Sequence, residues 1–263
     1  MKNLFFTAAC ALAFVFSSCV KNRLILQGNT IDYCRITTIS GANSDFPDTL
    51  TFFYNPDGTP SHIDRQDVTD GSPKYLFRYD NQGRLLDYVA AFDNGAAESW
   101  IRYYYNEATR TVIDTQYTDA QQYQTWPPYY FGFVLSEVKR YDELGRIVSY
   151  QHYILYQVPG SDSAELMYSQ TYTYDREGDL AGLPHDDKIN IHRTNPVWQF
   201  IDNDYATNNE ISIQPFNAQY DTYKLPILMP GSNSVPFLFD LEFPTLAIRY
   251  SCDMPVKEES SGR

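Results

Sequence analysis

Hydrophobic and polar positions alternate along most of this chain in short runs. Tyr75, Phe77 and Tyr79 alternate with Leu76 and Arg78, and Val148, Tyr150, His152, Ile154 and Tyr156 with Ser149, Gln151, Tyr153 and Gln157. A period of two puts successive side chains on opposite faces of a strand, one face packed and the other wetter. Few stretches show helical spacing. The runs are rich in Tyr, Phe, Ile, Val and Thr and are separated by turn clusters, which predicts antiparallel β structure.

The punctuation between runs repeats. Tyr54-Asn-Pro-Asp-Gly58, Tyr79-Asp-Asn-Gln-Gly83, Tyr141-Asp-Glu-Leu-Gly145 and Tyr174-Asp-Arg-Glu-Gly178 share the form Tyr-[Asp/Asn]-x-x-Gly. Arg84-Leu85 and Arg146-Ile147 follow two of them. Tyr105-Asn-Glu-Ala-Thr109 and Tyr205-Ala-Thr-Asn-Asn209 read as degenerate copies. The Asp or Asn oxygen accepts from backbone N–H groups two residues on, and Gly takes a positive φ at little steric cost. Each copy is therefore predicted to be a hairpin tip, with Gly58, Gly83, Gly145 and Gly178 at the left-handed position of a type I turn with a bulge. Consecutive hairpins make a meander, and one this long should curl or close. The fold class expected is all-β: an antiparallel meander of repeated hairpins forming a curved sheet or a partly closed barrel.

The copies are unevenly spaced, and Trp126-Pro127-Pro128-Tyr129 and Pro159-Gly160-Ser161-Asp162 read as loop insertions. After Leu183 the pattern changes. Lys188–Arg193 reads as a short strand, Pro196–Ile201 as a short helix or turn, and Pro226–Pro236 as a Pro/Gly/Ser-rich loop. Phe237–Phe243 and Leu246–Cys252 read as closing strands. The expected organisation is one β domain over residues 33–255 and a polar tail over 256–263.

The start of the chain departs from this pattern. Lys2 precedes an apolar run from Leu4 to Phe16, and Phe16-Ser17-Ser18-Cys19 follows. A positive tip, a short apolar core and small residues before a cut make a secretory signal. The core is too short to span a bilayer as a helix. The placement of the cysteine resembles the lipobox of bacterial lipoproteins, with Phe16 where Leu is commonest; the alternative is an ordinary signal with an incidental cysteine. The resemblance implies a signal peptide over 1–18, a diacylglycerol on the Cys19 sulfur, an acylated amine and a short tether over 19–32. Each buried CH2 contributes about 0.8 kcal/mol, so several acyl chains hold nearly permanently. Val20-Lys21-Asn22-Arg23 is basic rather than acidic, which leans the expected address to the periplasm-facing side of a bacterial outer membrane.

Charge and cysteine usage narrow the partners. The chain carries a net charge of −13; without residues 1–18 it has 19 basic and 33 acidic residues, a net −14. That balance disfavours nucleic acid and anionic lipid headgroups. With Cys10 in the signal and Cys19 lipidated, Cys34 and Cys252 remain. In an oxidising compartment they form a disulfide or stay as two buried thiols, and the sequence leaves both open.

Two family resemblances follow from these residues. The Tyr-Asp-x-x-Gly-Arg-Leu form resembles the YD repeat of Rhs-type proteins, whose copies recur more regularly and build closed shells. The lipobox, the irregular hairpins, Asn195-Pro196-Val197-Trp198, Asn208-Asn209, and Tyr220-Asp221 with Leu225-Pro226 together resemble more closely a family of lipoproteins of unknown function from Gram-negative gut bacteria. That resemblance covers nearly the whole mature chain. It implies a porin-like curved or barrel-like sheet, with no activity, cofactor or site residue attached. A membrane-spanning barrel is the competing architecture; the polar end Lys257-Glu-Glu-Ser-Ser-Gly-Arg263 is unlike an apolar closing strand.

Candidate chemistry is sparse. The sequence holds no His-Glu-x-x-His, Gly-rich phosphate loop, Gly-x-Ser-x-Gly elbow or zinc-spaced cysteine pair. His185 and His192 flank Asp186-Asp187, which reads as a solvated turn. Asp202, Asp204, Asn208 and Glu210 gather oxygen donors of the kind calcium takes, without the central Gly of an EF-hand, so turn chemistry is the stronger reading. No catalytic residue and no cofactor are expected. Trp100, Trp126, Tyr129, Tyr130 and Trp198 are candidates for stacking on a glycan or an apolar ligand, against the alternative of core packing. The function expected is non-enzymatic binding or scaffolding at the envelope, with a carbohydrate-active hydrolase or an accessory subunit of an outer-membrane complex as alternatives.

Overall fold

A computed structural model describes residues 29–43, 46–66, 68, 73–121, 129–130, 134–158, 161–211, 218–230 and 245–253. Its strands, in chain order, are β1 (Cys34–Asn43), β2 (Phe46–Tyr54), β3 (Pro60–Arg65), β4 (Lys74–Tyr79), β5 (Leu85–Ala91), β6 (Ala97–Asn106), β7 (Thr111–Gln121) and β8 (Tyr129–Tyr130). They continue as β9 (Val134–Tyr141), β10 (Ile147–Val158), β11 (Ser161–Thr171), β12 (His185–Ile189), β13 (Asn208–Glu210), β14 (Gln219–Tyr220), β15 (Pro226–Pro230) and β16 (Thr245–Cys252). A 3-10 turn (Ile191–Thr194) leads into one short helix, α1 (Pro196–Asp202).

The main sheet runs β11-β10-β9-β7-β6-β5-β4-β3-β2-β1-β16-β15-β14, antiparallel throughout, with β8 paired to β7 and β12–β13 forming a separate ribbon. Most neighbours are consecutive in sequence, as a meander requires. The exception that gathers the chain is β16, which returns to pair with β1 and sets Cys34 opposite Cys252. Their sulfurs are bonded, at 2.05 Å. The sheet stays open, with β11 and β14 as its two edges.

Packing explains the curl. Phe52 on β2 and Phe77 on β4 both lie 5.6 Å from the Trp198 ring on α1, while Tyr103 on β6 and Tyr141 on β9 lie 4.8 and 6.2 Å from Phe200. At about 4.8 Å per strand, β2 to β9 would span roughly 29 Å if flat. A seven-residue helix is only about 10 Å long, so these strands must bend around it to reach it. The helix begins where the sequence says it should: Asn195 accepts from the Val197 N–H, Pro196 fills the first turn, and Asn203 ends it at φ 56°. Buried Ile191, Val197, Trp198, Phe200 and Tyr205 make this segment the filling of the curved sheet.

The repeat form acquires a reason beyond its turn. Asp80 Oδ1 accepts from the Gln82 and Arg84 N–H groups, and Gly83 sits at φ 77°; Asp142 and Gly145 repeat the arrangement with Leu144 and Arg146. The tyrosine latches each hairpin to an earlier one. Tyr79, Tyr105, Tyr174 and Tyr250 donate their hydroxyls to the carbonyls of Pro60, Leu85, Ile147 and Pro226, each the first residue of an outgoing strand. The arginine completes the ladder. Arg84 pairs with Asp80 of its own turn and stacks 4.4 Å from the next tyrosine, Tyr105; Arg146 does the same with Asp142 and Tyr174 at 4.2 Å.

Several expectations are corrected. Tyr205-Ala-Thr-Asn-Asn209 is no hairpin tip: Tyr205 follows α1 with a buried ring, and Asn209 lies in β13. The turn at Asn106–Arg110 is a tip, with Arg110 rather than Gly at φ 51°. Phe92-Asp-Asn-Gly95 and Asp221-Thr-Tyr-Lys224 are tips that the form did not single out, the second with Lys224 at φ 66°. Lys188–Arg193 splits between β12 and the 3-10 turn because the Asn190 side chain caps the latter by accepting from the His192 N–H. Pro226–Pro230 is a strand rather than loop; its prolines stand at its two ends, where a missing N–H costs little. Tyr129 belongs to β8, and Ser161 opens β11. Trp126, Phe237–Phe243, Cys19 and the polar tail lie outside the described residues.

Candidate functional site

Strand register builds a row of polar side chains across the inner face. Tyr103 on β6 stands opposite Asp114 on β7, Asp114 opposite Glu137 on β9, Glu137 opposite His152 on β10, and His152 opposite Tyr168 on β11. The adjoining row sets Val112, Lys139, Tyr150 and Gln170 side by side. Lys139, 2% exposed, donates to Glu137 Oε2 at 2.9 Å and Asp114 Oδ2 at 3.1 Å. Its ammonium also lies 5.8 Å from both the Tyr103 and Phe200 rings, a cation–π setting.

A hydrogen-bonded chain leads outward from this ion group. Tyr150 donates its hydroxyl to Glu137 Oε1 at 2.5 Å, and Tyr168 donates to the Tyr150 oxygen at 3.2 Å. The His152 ring stacks on Tyr168 at 5.4 Å and 22°. Exposure rises along the row, from buried Asp114 through partly covered Glu137 and His152 to Tyr168 at 51%.

Burial and charge set the protonation. Burial raises the Asp114 carboxyl and Glu137 adds to it, outweighing the pull of Lys139, so Asp114 is held well above the ordinary carboxylate range. For Glu137 burial is the largest single influence, yet Lys139 and the Tyr150 hydroxyl outweigh it and hold that carboxyl down. Burial opposes the charge on Lys139, but both carboxylates overcome it and raise its pKa. The resting group is thus one ammonium, one carboxylate at Glu137 and an Asp114 that readily takes a proton. Two carboxyls with affinities pushed apart are a general acid–base arrangement in form. Here the easily protonated one is the one sealed inside.

A second ion group sits in the filling. His192 is buried with Nε2 2.7 Å from Asp202 and Nδ1 3.0 Å from Asp204. Burial opposes its charge, but Asp204 and Asp202 outweigh it and raise the imidazole to about 10. This arrangement corrects the reading of His192 as part of a solvated turn. Asp202 and Asp204 face its imidazole, and Glu210 stands apart on β13, opposite His185. Among the described residues no group of three or more His, Cys, Asp or Glu side chains is placed to hold a metal. Asp186 is likewise structural, accepting from the Tyr220 hydroxyl and from Asn209.

The aromatic candidates divide. Trp198 packs between Phe52 and Phe77 and is fully buried, so its ring offers no stacking surface. Trp100 is also core, but on the opposite face of the sheet, with Val89, Ala91 and Ala97 and with the Arg78 guanidinium 5.1 Å over its ring. Each lies inside a regular element, where burying a large ring contributes most, as the core-packing alternative has it. Tyr129 and Tyr130 form β8 on the β7 edge. The residues that sequence reasoning missed are Asp114, Glu137, Lys139, Tyr150, His152 and Tyr168. Their signal was present: Glu137 and Lys139 share the parity of Tyr141, a core aromatic, in an alternating strand.

No protein-family model matches the sequence, and no curated protein matches it. Among solved structures, the chain is similar to a porin-like protein from Bacteroides vulgatus at 13% identity, covering 82% of this chain and 98% of that one, with a TM-score of 0.40. It is also similar to TcdB2-TccC3 without its hypervariable C-terminal region, at 15% identity over 72% of this chain and 12% of that one, TM-score 0.27. A porin-like protein from Bacteroides uniformis is similar at 12% identity over 56% of this chain and 99% of that one, TM-score 0.19.

Proposed function

We propose that this chain is a lipid-anchored envelope protein that binds a ligand without transforming it, at the inner-face row that opens toward β11. The observation that carries the binding reading is the step in exposure from partly covered Glu137 and His152 to the half-exposed Tyr168 ring. A ring with polar groups beside it suits a glycan, whose apolar sugar face stacks while its hydroxyls meet the carboxylate and imidazole. The sealed position of Asp114 and Lys139 supports binding over bond cleavage, because neither reaches a bound sugar. The anchoring part of the proposal rests on Phe16-Ser17-Ser18-Cys19, and the periplasm-facing outer-membrane address on the basic residues after it. Metabolic labelling with palmitate should mark the chain and be lost in Cys19→Ala. A glycan array should give binding that Tyr168→Ala removes, with melting unchanged. Release of reducing ends from any bound glycan would replace this reading with that of a hydrolase.

A further inference from the structure

The sealed end of the inner-face row holds a pair that ligand binding leaves without a role. Asp114 on β7 and Lys139 on β9 are 3% and 2% exposed, too enclosed to meet anything from outside. An ion pair that deep gives back much of its attraction in lost hydration, so stability alone explains it poorly. Its geometry is that of an amine facing an acyl group. Lys139 Nζ lies 3.1 Å from Asp114 Oδ2. The other oxygen, Oδ1, accepts from the Glu137 main-chain N–H at 3.0 Å. Glu137 Oε2 stands 2.9 Å from the same Nζ. The Tyr103 and Phe200 rings close the remaining side, each 5.8 Å from the nitrogen. An amine, a carboxyl, a carboxylate able to carry protons and a donor for the carbonyl oxygen thus meet in one enclosed place.

We propose that Lys139 and Asp114 condense after folding into an isopeptide bond, with Glu137 as the catalytic residue. The Lys139 ammonium first passes a proton to Asp114 Oδ2, leaving a neutral amine beside a neutral carboxyl. The carboxylates favour the ammonium, but this transfer cancels two opposite charges where water cannot solvate them. Asp114 is the acid that accepts, since burial and Glu137 hold its pKa above the ordinary range. The Nζ lone pair then bonds to Asp114 Cγ, and the charge that develops on Oδ1 meets the Glu137 N–H. Glu137 takes a proton from Nζ and delivers it to Oδ2. The Cγ–Oδ2 bond breaks, and Oδ2 departs as water. Glu137 ends as the carboxylate it began as, accepting from the N–H of the new amide. One C–N bond replaces one C–O bond, one water is released, and nothing is oxidised or reduced. Strand register supplies the proximity that two free molecules lack, and enclosure denies water the return path. The product is a covalent tie between β7 and β9 across the connection that carries β8. It goes beyond the glycan reading and does not need it, since neither bonded residue reaches a ligand.

The test is peptide mapping of the folded full chain by mass spectrometry. No Lys or Arg lies between Arg110 and Lys139. Trypsin does not cut after an acylated lysine, so the native protein should yield Thr111–Arg140 as one peptide, lighter by one water than its sequence requires. Fragmentation of that peptide should give no sequence ions from inside the ring that the bond closes between Asp114 and Lys139. Glu137→Gln removes the proton carrier and keeps the main-chain N–H, and it should yield full-mass Thr111–Lys139. That peptide at full mass from the native protein would overturn the bond, whether or not the variant folds. A native peptide one water short but cut after Lys139 would mark a cyclic imide at Asp114 and overturn it equally. A bond formed to the native extent in Glu137→Gln would overturn the part assigned to Glu137.

Discussion

Lys139 and His192 are both cations held between two carboxylates beneath the same curved sheet, and they solve the problem differently. Lys139 is enclosed with Asp114, rings cover its open side, and its bonds run to strands β7 and β9. His192 is gripped by Asp202 and Asp204, which flank the end of α1 and retain some contact with water. In the first group the surplus charge is removed by lifting Asp114, which then takes a proton easily. In the second His192 outweighs burial and holds the Asp204 carboxyl down, and the imidazole keeps its proton. The sealed cluster pushes a carboxyl up, whereas the one with its cation directly on the carboxylate pulls a carboxyl down.

Removing the sealed cation should have the largest effect. Lys139→Met leaves Glu137 charged with no cation and should cost about 3–5 kcal/mol in urea or guanidinium unfolding. His192→Leu should cost less, about 2–3 kcal/mol at pH 7, because Asp202 and Asp204 can turn to water. If the two losses prove equal, the contrast in enclosure is wrong.

The pH dependence sharpens the same contrast. The His192 pKa is raised from 6.5 to about 10 on folding, so its contribution is complete below pH 6.5 and is lost as pH rises toward 10. Melting followed across that range should decline in the native protein, and the decline should flatten in His192→Leu. The smallest expected effect is that of Tyr150→Phe, about 1 kcal/mol, since Glu137 keeps Lys139 after losing the phenol. Titration of Glu137 followed by NMR should move upward in that variant.

What could be read from the sequence was what chemistry fixes locally. An Asp that accepts two N–H groups and a Gly that tolerates positive φ act within five residues, so the tips at Gly83 and Gly145 are legible without knowing the sheet. The Asp221 tip escaped notice because Lys224 occupies the left-handed position, held there by neighbours rather than by its own preference. Alternation also found the β4 and β10 faces. It could not find the site, because the row from Tyr103 to Tyr168 is a product of register between five strands and of shifts at Ile147/Ser149 and His152/Tyr153. Nor could alternation say that Trp198 would be wrapped by strands more than a hundred residues away. Such pairings are set by the whole chain, and single runs carry no trace of them.

The bond between Cys34 and Cys252 makes the polypeptide between them a covalent ring with a sequence separation of 218. A protease that cuts once at an exposed hairpin tip, such as Asp80–Gly83, opens that ring without dividing the molecule. Both pieces remain joined at the bridge. Two cuts are needed to free a fragment, and the intervening strands must also leave their neighbours. Nicked protein should therefore keep its full mass without reductant and separate into two bands only with it. That gives the sheet a tolerance for a single cut that hydrogen bonding alone does not confer.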